Sequence, residues 1–170
     1  MKKPLEYEEA LARCADLCNR SEQCTPDLLE KMKRWGLGFH DAHKVIEVLE
    51  DMRYVDDHRF VRAYARDKVC YSGWGRYKVE RGLIMKRIPR DLIDEAMDGV
   101  EEEEYREIAQ GIAASKLRQL RTDNPDYETK VKVLRHLLQR GFEMGIARQA
   151  LLEVLDKLEQ EREDEENDNE

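Results

Sequence analysis

Two stretches of the chain, LIMKRIPRDLIDEAM at 83–97 and LLQRGFEMGIARQAL at 137–151, superimpose without a gap at an offset of 54 residues. Leu83 meets Leu137, Ile84 meets Leu138, Lys86 meets Arg140, Ile88 meets Phe142, Leu92 meets Ile146 and Ala96 meets Ala150. A looser copy, MKRWGLGFHDAHKVIEVL at 32–49, aligns when one residue is inserted after the turn. Each copy reads as an apolar helix, a basic residue, a tight turn, a large apolar residue and a second apolar helix. Such a unit cannot bury both of its faces by itself, so neighbouring units must stack. The repeat therefore predicts an all-α fold, an elongated array of three tandem three-helix repeats at about 1–52, 53–104 and 105–158.

Apolar residues recur at spacings of three and four throughout, and period-two alternation never persists, so no strand is expected. Nine right-handed helices are predicted at about 5–20, 26–35, 41–52, 56–70, 75–86, 89–98, 102–120, 127–140 and 144–158. The breaks carry punctuation. Thr25-Pro26 reads as a cap followed by proline in the first turn, and Gly36 and Gly38 close the second helix. Ser72-Gly73-Trp74-Gly75 is a turn with two positions free to adopt positive φ, and Asn124-Pro125-Asp126 opens the eighth helix.

Charge matters by its placement. The net charge of −8 is concentrated in the last twelve residues, EQEREDEENDNE at 159–170, which hold eight acids and one arginine. Residues 53–90 hold eleven lysines and arginines against four acids, a basic middle between acidic ends. The tail has little to bury and is expected to be disordered, serving solubility or competing with an anionic ligand for the basic middle. No run approaches the 18 apolar residues of a membrane span. The opening MKKPLEYEEALARCADL breaks with acids before any signal-peptide core, so a cytoplasmic location is expected. Cys14, Cys18 and Cys24 with His40 or His43 could compose a zinc set, but no close Cys-x-x-Cys pair supports it. Small thiols packed in a helical core are the better reading, and no metal or cofactor is expected.

The stretch YVDDHRFVRAYARDK at 54–68 raises a sharper question. Asp56 and Asp57 side by side could be a metal or acid/base site, yet no third ligand, nucleophile or partner acid marks one. Placed just before a helix, they fit as cap and first-turn acid. Beyond the cap, Phe60, Val61 and Tyr64 fall on one helical face, while Arg59, Arg62 and Arg66 fall on the other. The stripe is either a solvated face or a binding surface. No acid at i±4 neutralises Arg62 or Arg66, and Lys68, Arg76, Lys78, Arg81, Lys86, Arg87 and Arg90 follow, which favours a surface for carboxylates or phosphates.

These residues carry a resemblance. YVDDHRFVRAYARDK followed by GWGRYKVERGLIMKRIPRDLIDEAM resembles the signature of the RecX regulatory family. Tyr54, Val55, Asp56, Asp57, Phe60, Tyr64, Gly73, Gly75, Val79, Leu83, Lys86 and Ile88 occupy its pattern positions, and KVLRHLLQRGFEMGIARQAL resembles its C-terminal block. Arg53 and Arg87 stand where the family usually has glycine, and Pro89 where it has a small polar cap. The resemblance implies a cytoplasmic bacterial modulator that binds the RecA recombinase along its filament groove or at its growing end. It implies inhibition of ATP hydrolysis, coprotease activity and strand exchange, in DNA repair, recombination and SOS control, with weak DNA phosphate contact at most. It carries no catalytic residues and implies a monomeric, non-enzymatic protein. The alternatives are an autonomous DNA-binding architectural protein, which the near-neutral body and few aromatics disfavour, and a metal-dependent nuclease built on Asp56 and Asp57.

Overall fold

The structure is a computed structural model that describes residues 5–122 and 124–167. Among them are nine α-helices and no strand. The helices are α1 (Tyr7–Arg20), α2 (Thr25–Arg34), α3 (Phe39–Asp51), α4 (Asp57–Cys70), α5 (Arg76–Met85), α6 (Arg90–Glu95), α7 (Glu102–Leu120), α8 (Tyr127–Gln139) and α9 (Met144–Asn167). A single 3-10 turn, Ala96–Gly99, follows α6. Starts and stops fall within a few residues of the expected ones, except at the end of α9. There the composition predicts a disordered tail from 159, whereas the helix continues to Asn167. The residues concerned are mostly strong helix formers, and Arg162 Nε donates back to the Leu158 carbonyl at 3.3 Å, which extends the last turns. Residues 168–170 of that tail lie outside the described residues.

The chain divides into two compact units. The first comprises residues up to Tyr64 and Gly82–Met97. Its core gathers Ala10 and Cys14 from α1, Leu28 and Met32 from α2, and Ala42, Val45, Ile46 and Leu49 from α3, closed by Leu37 and Val55. The second unit comprises Ala65–Arg81 and everything from Asp98. Here α7, α8 and α9 pack pairwise. Tyr105, Ala109, Ala113 and Leu117 of α7, Val133 and Leu137 of α8, and Ala147, Ala150, Leu151 and Val154 of α9 are buried. The Tyr105 and Phe142 rings meet with centroids 5.2 Å apart.

The repeat has a common physical joint. After α2, α5 and α8 the chain turns through a left-handed residue, Gly36 (φ 86°), Arg87 (φ 60°) and Gly141 (φ 92°). Each turn closes with the same two bonds: Gly36 N to Lys33 O and Leu37 N to Met32 O, Arg87 N to Ile84 O and Ile88 N to Leu83 O, Gly141 N to Leu138 O and Phe142 N to Leu137 O. These are Schellman caps, in which the apolar residue after the turn packs back on the last helical turn. Accordingly Leu37, Ile88 and Phe142 are buried, as are Met32, Leu83 and Leu137. The helix after each turn starts two residues beyond that apolar anchor, at Phe39, Arg90 and Met144. The first copy thus keeps register without the inserted residue that the sequence alignment called for. The burial pattern repeats as well, with Ala42, Val45 and Leu49 matching Ile93, Ala96 and Val100, then Ala147, Ala150 and Val154. A fourth turn of the same kind ends α3, with Arg53 at φ 59°, Arg53 N bonded to Glu50 O and Tyr54 N to Leu49 O.

All four cysteines are free thiols. Burial, helped by Cys18, pushes Cys14 up to about 11, and burial pushes Cys24 up to about 11. Cys14 and Cys24 behave as small apolar core residues, Cys18 and Cys70 are only partly buried, and the described histidines, cysteines and acids form no cluster of three or more placed to hold a metal ion.

Candidate functional site

The helix α4 begins with the two aspartates. Asp56 Oδ1 accepts the Arg59 main-chain N–H at 3.0 Å, which is N-cap geometry. That hydrogen bond, outweighing partial burial, holds the Asp56 carboxyl below the usual carboxylate range. Asp57 has a different task in the first unit: its Oδ1 accepts the Thr25 N–H at 2.8 Å. It caps α2, whose N-cap residue is Cys24 and not the expected Thr25, and Cys24 supplies no side-chain bond. The neighbouring His58 pairs with Glu95. Both carboxylates are therefore engaged by main-chain amides at helix starts.

Phe60 is buried and Tyr64 half-buried in the first unit, with ring centroids 5.9 Å apart. Opposite them Arg59, Arg62 and Arg66 are exposed. Two of these three have acid partners that lie far away in sequence. Arg59 Nε donates to Glu22 at 2.6 Å, with further contacts to the Arg53 and Tyr54 carbonyls. Arg66, in the second unit, grips Glu104 through both terminal nitrogens at 3.1 and 3.3 Å and reaches the Gly99 carbonyl. Among the described residues, Arg62 donates to the His58 carbonyl alone, at 3.2 Å.

The remaining cations divide between holding the fold and facing outward. Arg76 is a keystone of the second unit. Its guanidinium pairs with Glu143 at 2.7 Å and with Glu102, and lies 4.3 Å from the centroid of the Tyr105 ring. Tyr105 Oη accepts the Arg76 N–H at 2.9 Å and donates to Glu143 Oε2 at 2.6 Å. Burial works to raise Glu143, but the Arg76 and Tyr105 bonds overcome it and leave the carboxyl below its ordinary value. Lys86, in the first unit, pairs with Asp27 at 2.6 Å and sits 5.8 Å from the Phe60 ring centroid, so it too serves the interior. Arg87 reaches Glu30 at 3.5 Å, and Arg90 pairs with Asp94 at 2.8 Å. Lys68 and Lys78 place their ammonium groups 5.0 and 4.8 Å from the centroid of Trp74. Arg81 is exposed and makes no ion pair among the described residues.

Around that tryptophan the second unit shows a feature that composition concealed. Tyr71 is 86% exposed and Tyr77 is 62% exposed. With Trp74, Lys68, Lys78 and Arg81 they form an aromatic and basic surface on the turn joining α4 to α5. The turn itself is fixed by glycine. Gly75 N donates to Arg140 O at 2.8 Å and Tyr77 N to Gly141 O at 3.1 Å. A Cβ on Gly75 would lie 2.2 Å from the Gly141 carbonyl carbon, so only glycine allows the two main chains to meet. Arg140 Nη1 completes the joint by donating to the Ser72 and Gly73 carbonyls at 3.0 and 3.3 Å. Gly73, at φ 64°, supplies the left-handed position.

The fold and this surface define a class: an all-α protein of consecutive three-helix units carrying a basic, aromatic-studded helical hairpin. Residues 56–97 match the RecX second three-helix domain, and residues 102–151 match the RecX third three-helix domain. The chain belongs to the RecX family of regulatory proteins. It is 31% identical over 151 residues to the regulatory protein RecX of Prosthecochloris aestuarii, covering 88% of this chain and 96% of that one. It is 28% identical over 138 residues to the regulatory protein RecX of Legionella pneumophila, covering 81% of this chain and 89% of its relative. The crystal structure of RecX from Lactobacillus salivarius matches the fold with a TM-score of 0.79 at 15% identity, over 87% of this chain and 96% of that one. No helix among the described residues is long and apolar enough to cross a membrane.

Proposed function

We propose that this protein is a non-enzymatic, cytoplasmic regulator that binds the RecA recombinase filament and inhibits its ATPase, coprotease and strand-exchange activities. The observation that carries the reading is the family match over 56–97, the same stretch that holds the basic hairpin. The cations with no acid partner among the described residues, the exposed Arg62 and Arg81 and the half-buried Lys78, are its leading contacts. Arg59, Arg66, Arg76 and Lys86 are already satisfied within their own units and contribute chiefly by shaping the surface. Titrating the DNA-dependent ATPase of RecA with the protein tests this directly. Inhibition far below one molecule per RecA indicates end-capping, near-stoichiometric inhibition indicates groove binding, and no effect refutes the reading. Replacing Arg62, Lys78 and Arg81 together by alanine leaves the internal ion pairs intact and weakens inhibition.

A second reading, direct contact with DNA, draws support from Tyr71 and Tyr77. Exposed aromatic rings beside lysines provide stacking faces and phosphate partners for single strands. That reading predicts salt-steep binding to DNA without RecA, lost in a Tyr71→Ala, Tyr77→Ala double variant.

A further inference from the structure

Between α2 and α3 the first unit has a groove of about 600 Å³. Leu29, Leu37, Phe39 and Ala42 give it apolar walls, and Lys33 and Arg87 stand on its rim. Two residues here sit where folding alone would not put them. Phe39 is 81% exposed, although the equivalent position of the second repeat is Arg90, which solvates without difficulty. Arg87 holds the left-handed conformation that glycine takes in the first and third copies, at Gly36 and Gly141. A non-glycine residue in that conformation is destabilising, and such outliers cluster where something is recognised. The groove wall carries one carboxylate, Glu30, and it is engaged by Arg34 at 3.4 Å and by Arg87 at 3.5 Å. Two cations, Lys33 and Arg87, therefore stand with a single acid at the mouth of an apolar slot, and that acid is also held by Arg34.

We propose that this groove docks an acidic peptide segment of a protein partner, which inserts one large apolar side chain between Leu29, Leu37 and Phe39 and places carboxylates on Arg87 and Lys33. Charge complementarity selects that occupant over a basic or neutral peptide, because only an acidic one benefits from the rim. The assignment of the segment to the recombinase rests on the function proposed above; the groove itself does not.

The test uses a fluorescein-labelled peptide with one tryptophan flanked by aspartates and glutamates, titrated by anisotropy with the full-length protein. Binding is expected, with a loss of at least about tenfold when the peptide tryptophan becomes alanine or its acids become lysines. A similar loss is expected in Leu29→Glu and in Arg87→Gly. The last variant is decisive, since relieving the left-handed arginine leaves the melting temperature unchanged or raised; weaker binding by an equally stable protein cannot be a folding defect. No peptide binding, or binding indifferent to Arg87→Gly and Leu29→Glu, overturns the proposal. Peptide binding that RecA filaments do not compete for leaves the groove standing and removes the recombinase as its partner.

Discussion

Replacing Gly75 by alanine forces apart two main chains that are now hydrogen-bonded. The new methyl would sit 2.2 Å from the Gly141 carbonyl carbon and the Phe142 nitrogen, and 2.3 Å from the Gly141 oxygen. All three are backbone atoms, so no rotamer change relieves the clash. Separation stretches or breaks the Gly75 N to Arg140 O and Tyr77 N to Gly141 O bonds. Each is worth about 0.5–1.5 kcal/mol net, and forced overpacking adds about 1–3 kcal/mol. Together they amount to roughly 2–6 kcal/mol, a large share of the roughly 5–15 kcal/mol typical of a folded domain. Urea denaturation followed by helical circular dichroism and by fluorescence in a Trp35→Phe background, where Trp74 alone reports, measures the loss. Gly111→Ala is the control: it lies inside α7 with nothing within 4 Å of the added Cβ. It should stabilise by about 0.5–1 kcal/mol. If Gly75→Ala unfolds within about 0.5 kcal/mol of the parent, the change has behaved as an ordinary surface substitution. The two main chains are then not in contact, and the account of this turn is wrong.

Arg53→Gly removes a left-handed arginine from the end of α3 and should stabilise the first unit by about 1 kcal/mol, read as a rise in melting temperature. Asp56→Ala removes the cap of α4 and should cost about 0.5–2 kcal/mol, while Asp57→Ala, by exposing the Thr25 amide, should destabilise to a similar degree without touching α4's own cap. Glu143 is held below its ordinary value of 4.5, so its ion pair stabilises the protein above that pH, and the stabilisation is lost as the pH falls through the lower folded-state value. Urea midpoints should therefore drop on acidification, and the drop should be shallower in Glu143→Gln; an identical slope would show that Glu143 is not linked to folding.

Helix positions were legible in the sequence because their signals are local. Pro26, Gly36, Gly73 and Asp126 each act within one turn, and the Asp126 side chain does accept the Thr129 amide at 2.8 Å, whereas Thr25, expected as the cap of α2, stands at its first helical position. The charge partners were not legible. A search at i±4 finds no acid for Arg66, because its partner, Glu104, is 38 residues away; Glu22 and Asp27 serve Arg59 and Lys86 over 37 and 59 residues. An arginine stripe on a helical projection consequently overstates what is free. Chain-wide counts hid the opposite case, since a modest aromatic content still leaves Tyr71 and Tyr77 exposed at the junction of α4 and α5. The αL arginines were visible only as departures from glycine, and their conformation had to come from the fold.

The buried thiols of the first unit act as a clock for its opening. With Cys14 and Cys24 held at about 11, roughly one molecule in a thousand carries a reactive thiolate at pH 8. An alkylating reagent must wait for the core to open before either sulfur reacts at its ordinary rate. Cys14, Cys18 and Cys24 belong to the first unit, whereas Cys70 belongs to the second. Peptide-resolved alkylation over time would therefore read the opening of the first unit from the buried Cys14 and Cys24, with the partly exposed Cys18 and Cys70 as internal references in the same unmodified protein.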